Sequence, residues 1–230
     1  MISAAIFDMD GTLLDTEHLV QDCLETAAAE YHLPDLKPVF LAMVGLRGDL
    51  SLEVLEQGLA GRAPLESFTG RVDQLVAEAK ERGIPKKPGA EELLRGLKAQ
   101  GLPLALATSS LTATATNFLA RSGWAEIFDH VIGGDQITHA KPAPDIYLLA
   151  AEKLGFAPQA CAAFEDSDPG TRAAIAAGCQ TVQVPDLIPP SDELRALGHV
   201  IAPNLLAGAA QIGLLATKAP SATEPISGSL

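Results

Sequence analysis

Five short, largely apolar runs separated by helical periodicity constrain the fold of this chain more than any other feature. They are Ile2 to Phe7, Leu102 to Ala107, His130 to Ile132, Ala160 to Phe164 and Thr181 to Val184. A half-exposed strand alternates polar with apolar residues; runs like these read instead as strands covered on both faces. Between them the pattern turns helical, over Ala90 to Ala99, Pro144 to Leu154 and Pro169 to Ala177. Strands and helices in that alternation predict an α/β fold, a Rossmann-like parallel sheet with helices on both sides.

The alternation is interrupted directly after the first strand. From Glu17 to Arg82 every periodic stretch is helical: Leu19, Cys23, Leu24 and Ala27 share a face, as do Leu50, Val54 and Leu55, and Val72, Leu75, Val76 and Ala79. Proline and glycine break this region into short helices. The expected organisation is therefore a core from residues 1–15 and 83–216, an inserted all-helical cap over 16–82 and a loose tail over 217–230, rich in Pro, Ser and Thr. The apolar stretch Val200 to Ala216, broken by Pro203, Asn204 and Gln211, reads as a docked helix too polar to span a bilayer.

Charge narrows the partners. Twenty-nine acids against 16 bases give a net charge of -13, which repels nucleic acid and anionic membrane. It repels phosphate esters as well, so a chain like this can handle one only with local positive charge or a metal ion. Cys23, Cys161 and Cys179 are scattered, without metal-ligand spacing, and read as buried thiols of a reducing compartment. With no basic leader before the first strand, a cytoplasmic protein, monomeric by expectation, is the reading.

Ligands of open parallel sheets bind beyond the carboxyl ends of the strands. There this sequence places Asp8 and Asp10, then Thr108-Ser109-Ser110, then Glu165-Asp166-Ser167-Asp168, with Lys141 just ahead of a helix. Carboxylates sharing a site repel unless a cation joins them, and Asp8, Asp10 and Asp166 offer hard oxygen ligands of the kind that suit Mg²⁺. An ionised Asp8 can attack phosphorus. Asp10, two residues on, can protonate the leaving oxygen if a neighbouring carboxylate raises its pKa.

In order, FDMDGTLLDTE (7–17), ALATSS (105–110), HAKPAPDIY (139–147) and FEDSDPG (164–170) resemble the four motifs of the haloacid dehalogenase superfamily. The insertion after the first motif resembles the small helical cap of the subgroup containing β-phosphoglucomutase, phosphoglycolate phosphatase and several sugar phosphatases. LLDTE, ALATSS, KPAPDIY and VPD are also similar to the pseudouridine-5′-phosphatase branch. The resemblance implies that Asp8 forms an aspartyl-phosphate and that Asp10 is general acid/base, its backbone carbonyl on Mg²⁺. It implies that Thr108 and Lys141 hold the phosphoryl oxygens with the Met9 and Ser109 amides, and that Asp166 completes the metal site with Glu165 in it or close by. In the cap, VGLRGD resembles a substrate-facing loop, which sets Gly45 and Arg47 opposite the phosphate site.

Departures from the family separate its activities. Leu111 and Val20 stand where β-phosphoglucomutase has a Lys and a His, and dehalogenases lack an aspartate equivalent to Asp10. The expected function is Mg²⁺-dependent hydrolysis of a small phosphate monoester such as a sugar phosphate. A phosphosugar mutase is the alternative, and a non-catalytic phosphate-sensing module is a third reading.

Overall fold

The computed structural model describes residues 1–44 and 48–215; the expected tail and two expected cap residues, Gly45 and Arg47, lie outside the described residues. Among the described residues six strands form one all-parallel sheet: β1 (Ala4–Phe7), β2 (Leu104–Ala107), β3 (His130–Ile132), β4 (Cys161–Glu165), β5 (Gln180–Gln183) and β6 (Val200–Ile201). Their order is β3-β2-β1-β4-β5-β6. The chain winds outward from β1 on one side, then returns to β1's other edge and winds outward again. The reversal opens a crevice at the carboxyl end of β1, between β2 and β4.

The pleat sorts side chains into two unlike layers. Ala5, Phe7, Leu104, Leu106, Ala162 and Phe164 face one core cluster, where Phe7 stacks on Phe164 with ring centroids 4.7 Å apart. Against them pack α5 (Ala90–Ala99), α6 (Thr112–Arg121) and α10 (Leu205–Gln211). Ala4, Ile6, Ala105, Ala107, Cys161 and Ala163 face the other way, onto α7 (Asp145–Leu154) and α8 (Asp168–Ala177). That second layer is alanine on alanine, from Ala150 and Ala151 to Ala173 and Ala174, all fully buried. Small residues on both sides let helix and sheet approach closely, which is how a chain with 4% aromatics closes a dense core.

Trp124 is buried in the bulky layer, and its indole Nε1 donates to Glu91 Oε2 on α5 at 2.8 Å. Hydrogen bonds from Lys86 foremost, then Trp124 and Arg95, hold the Glu91 carboxyl down at about 2. Glu91→Ala strands the buried indole N–H and should lower stability by roughly 1–3 kcal/mol, read by urea denaturation at pH 7. In the unfolded chain a glutamate titrates near about 4.3. The folded value lies lower, so the charge-dependent part is present above about pH 4.3 and lost as pH falls toward about 2. The gap between wild type and Glu91→Ala should narrow across that window. A gap that is constant, or absent at pH 7, would count against this account.

Between β1 and α5 come α1 (Thr16–Glu30), α2 (Lys37–Met43), α3 (Gly48–Leu59) and α4 (Leu65–Arg82). They bury Leu24, Ala27, Phe40, Leu55, Leu59 and Phe68 among themselves. Arg71 on α4 grips Glu30 on α1 through two parallel bonds of 2.6 and 2.7 Å. The expected face of Leu50, Val54 and Leu55 is core only in part: Leu55 is 3% exposed, but Leu50 is 39% exposed. The chain enters and leaves this helical block through two segments that pair with each other. The Asp15 amide donates to Pro85 O at 2.8 Å, and the Lys87 amide to Leu13 O at 2.9 Å.

One sequence expectation is corrected. The stretch from Val200 does not begin as a helix: Val200 and Ile201 pair with Val182 and Gln183 as an edge strand. The helix starts only after Pro203, where Asn204 accepts the Ala207 amide at 2.8 Å and caps α10.

Candidate active site

Strand parity builds the site. Asp8 continues the row of Ala4 and Ile6, and Glu165 the row of Cys161 and Ala163, so both acids emerge on the side of α7. The ladder runs one bond beyond each strand: the Asp8 amide donates to Phe164 O, the Thr108 amide to Ile132 O and the Val184 amide to Glu165 O, at 2.7 to 3.0 Å. The first residues past the strands are therefore held as firmly as the strands themselves.

Lys141, in the loop before α7, reaches in to meet both acids. Its Nζ donates to Asp8 Oδ1 and Glu165 Oε1, each at 2.6 Å, and to Ala107 O at 3.1 Å. Glu165 is fully buried and accepts four further bonds: Tyr147 Oη on Oε1 at 2.7 Å, and the Asp166 amide, the Ser167 amide and Ser167 Oγ on Oε2. Burial works against the Lys141 charge, but Asp8 and Glu165 outweigh it and hold the ammonium above its ordinary range. Burial also pushes Asp8 up to about 8; Glu165 and Asp10 add to the rise and Lys141 opposes it.

Asp10 Oδ2 is met by Ser110 Oγ at 3.1 Å and more loosely by Thr108 Oγ1 at 3.5 Å. The Thr108 oxygen in turn accepts the Ser110 amide at 3.1 Å and caps no helix. Across the site Thr12 Oγ1 donates to Asp166 Oδ1 at 3.0 Å. Gly11, at φ +80°, makes the turn that brings Thr12 there, and a Cβ on it would overlap the Asp166 carboxylate.

The expected residues thus converge. Asp8, Asp10, Thr108, Ser109, Lys141 and Asp166 line one cleft of about 260 Å³, together with Glu17, Ser167 and Pro169. Glu165 stands directly behind it. The Met9 side chain is buried in the bulky core layer, leaving its backbone between the two aspartates. Sequence reasoning assigned no role to Thr12, Ser110, Tyr147, Ser167 or Glu17. Strand parity and position after a strand end carry a signal for Ser110 and Ser167; nothing local marks Tyr147.

Asp8, Glu165 and Asp166 each place a carboxylate oxygen within 4.8 Å of the others. Burial first, then Glu165 and Asp8, lifts the Asp166 carboxyl far above its ordinary range. Carboxylates so close and so reluctant to ionise form an all-oxygen donor set that a hard divalent cation would relieve. The set fits Mg²⁺. The cysteines lie elsewhere, buried and unpaired, and burial, with Cys161 adding, pushes the Cys179 thiol up to about 12.

The sequence matches the family of haloacid dehalogenase-like hydrolases over residues 2–178. A phosphorylated carbohydrates phosphatase of Thermotoga maritima is 34% identical over 181 residues, 79% of this chain and 84% of that one. The crystal structure of a HAD family hydrolase from Deinococcus radiodurans, with bound phosphate and sodium, superposes with a TM-score of 0.81. It is 29% identical and covers 94% of this chain and 98% of its own. CbbY of Rhodobacter sphaeroides, solved in complex with xylulose-(1,5)bisphosphate, gives a TM-score of 0.65 at 27% identity, over 89% of this chain and 95% of its own.

Proposed function

The chain belongs to the haloacid dehalogenase-like hydrolase family and is a phosphatase-type enzyme, and from that premise we propose that it hydrolyses a small phosphorylated carbohydrate through an aspartyl-phosphate on Asp8. The observation that carries this reading is the Lys141 bridge, which fixes Asp8 Oδ1 at the mouth of the crevice beside Asp10. Asp8 attacks phosphorus while the ester P–O bond breaks, and Asp10 delivers its proton to the departing oxygen. Asp10 then takes a proton from the water that attacks the phosphoryl group. This releases orthophosphate and restores the Asp8 carboxylate. Lys141, Thr108 and the Met9 and Ser109 amides hold the phosphoryl oxygens.

Asp8 and Asp166, with the Asp10 backbone carbonyl, would hold Mg²⁺, and Glu165 anchors Lys141 beside them. When bound, the ion would supply the positive charge that an acidic protein otherwise lacks at the phosphoryl group. Residues 16–82 act as the cap, excluding bulk water when closed and releasing product when open. Hydrolysis rather than mutase chemistry is supported at Leu111, which is 60% exposed, and at Val20, which packs into the apolar clusters of the helical block. Among the described residues no helix is long and apolar enough to cross a membrane. The buried, unpaired cysteines fit a reducing compartment such as the cytoplasm.

The test is phosphate release from a panel of sugar, polyol and aryl phosphates, with Mg²⁺ and with chelator. Metal-dependent release is expected; silence from folded protein on every ester would defeat the proposal. A finer check is Gly170→Ala. A Cβ there would overlap the Glu165 carboxylate, which five hydrogen bonds hold in place. Displacing Glu165 moves Lys141, so kcat on an aryl phosphate should fall at least about tenfold, with about 1–3 kcal/mol lost in stability. Full activity in Gly170→Ala would remove Glu165 from this role.

A further inference from the structure

Beside the phosphate cleft lies a second cavity, of about 380 Å³, which shares Glu17, Asp166, Ser167 and Pro169 with it. An ester whose phosphate sits on Asp8 would extend its remaining atoms across Glu17 and Asp166 into this space. The far wall comes from both parts of the molecule. Val44 follows α2 of the helical block, and Asp186, Leu187 and Ile188 follow β5. Val44 and Leu187 both pack on the helical block's own core.

Among the described residues lining this cavity there is no lysine, arginine or histidine. Besides Asp166 it presents Glu17, Asp168 and Asp186. Asp168 Oδ2 accepts Ser191 Oγ at 3.0 Å. The Asp186 side chain is 7% exposed, and its Oδ1 takes Lys87 Nζ at 2.6 Å. Its Oδ2 is buried with no hydrogen-bond partner among the described residues. A buried carboxylate oxygen lacking a donor is unfavourable, and a ligand hydroxyl would satisfy it. A ligand carboxylate or second phosphate has no proton to give, and it adds like charge beside these acids.

We infer that Glu17 and Asp186 make this cavity select a neutral, polyhydroxylated leaving group and reject one that carries a second anion. The inference rests on the proposed function and narrows it to monophosphates of neutral sugars or polyols, setting aside bisphosphates and phosphorylated acids. Glu17 and Asp186 are specificity residues in this scheme, while the chemistry stays with Asp8 and Asp10.

Matched esters test it: sn-glycerol 3-phosphate against 3-phosphoglycerate, and sorbitol 6-phosphate against 6-phosphogluconate. Each pair exchanges one hydroxymethyl group for a carboxylate on the same carbon chain. Wild type should favour the polyol in kcat/KM by about tenfold or more. For a pair that is not turned over, the Ki values against p-nitrophenyl phosphate give the same ratio. Glu17→Gln and Asp186→Asn should each bring the ratio several-fold closer to one. Asp186→Asn loses the partner of Lys87, so if it fails to fold, Glu17→Gln decides. Equal treatment of both members by wild type, a ratio unmoved in a folded variant, or no binding of either polyol phosphate overturns the inference. Silence of folded wild type on every ester, p-nitrophenyl phosphate included, instead defeats the phosphatase reading on which it stands.

Discussion

Asp8→Asn should abolish turnover, by roughly 10⁴-fold or more on an aryl phosphate, while the protein stays folded. The asparagine is nearly the same shape. Its side-chain oxygen can still accept the Lys141 bond that Asp8 Oδ1 accepts at 2.6 Å, so the loss would not come from collapse of the site. It would come from chemistry, because an amide cannot form the acyl-phosphate. Folding should be unimpaired, because the substitution removes a charge that burial and the neighbouring Glu165 and Asp10 disfavour. Two readouts separate the cases. Acid quenching during turnover should trap a hydroxylamine-labile phosphoryl group on wild type and none on the variant, and melting curves should overlay or shift upward. Appreciable turnover by Asp8→Asn would move the nucleophile to another residue.

That Asp8 and Asp10 stand at the candidate site is legible in the sequence because parallel strands buried on both faces leave apolar runs, and polar residues at their ends stand out. The same logic locates Thr108, Asp166 and, through its loop, Lys141. Which of the adjacent acids Glu165 and Asp166 faces the cleft is a question of pleat. Glu165 shares parity with Cys161 and Ala163, whose side faces α7 and α8, and so it turns inward toward Tyr147 and Gly170. Tyr147 itself is invisible from local pattern. Its bond to Glu165 exists because α7 packs across the alanine layer, and alanine spacing does not announce what a neighbouring tyrosine will touch. The edge strand Val200–Ile201 is hidden for a different reason. Two residues carry no period, and the apolar tract that follows disguises them as the start of a helix. Strand starts also moved inward, from Leu102 to Leu104 and from Ile2 to Ala4. Pro103 has no N–H for the ladder and contributes only its carbonyl, to the Ala5 amide at 3.0 Å.

Lys141→Met should be the most destabilising single change in the site, by about 3–5 kcal/mol at pH 7, because it leaves buried carboxylates without their counter-charge. For a chain of this size that corresponds to a fall in Tm of about 10 °C. The pH dependence identifies the cause. In wild type the ammonium lies above its unfolded value of about 10.4. Its contribution is therefore fully present below that pH and fades only as pH rises through the folded value. In the variant the carboxyls of Asp8 and Asp166, already raised by burial with Lys141 in place, rise further. A carboxyl raised above its unfolded value of about 3.9 makes the folded state lose stability as pH climbs past that value. Below about 8 the Asp8 carboxyl keeps its proton in both folded proteins, so the difference between wild type and Lys141→Met should be flat through neutral pH and widen as pH climbs past about 8, where wild type ionises Asp8 and the variant does not. Urea titrations at pH 7 and 9.5 measure it directly. A difference of the same size at both values would mean that Lys141 acts by packing against the Tyr147 ring, 5.4 Å from its Nζ. Turnover should also fall sharply in the variant at every pH, because the group that fixes Asp8 is also the one proposed to hold the phosphoryl oxygens, and no salt or buffer change restores a fixed donor at that position.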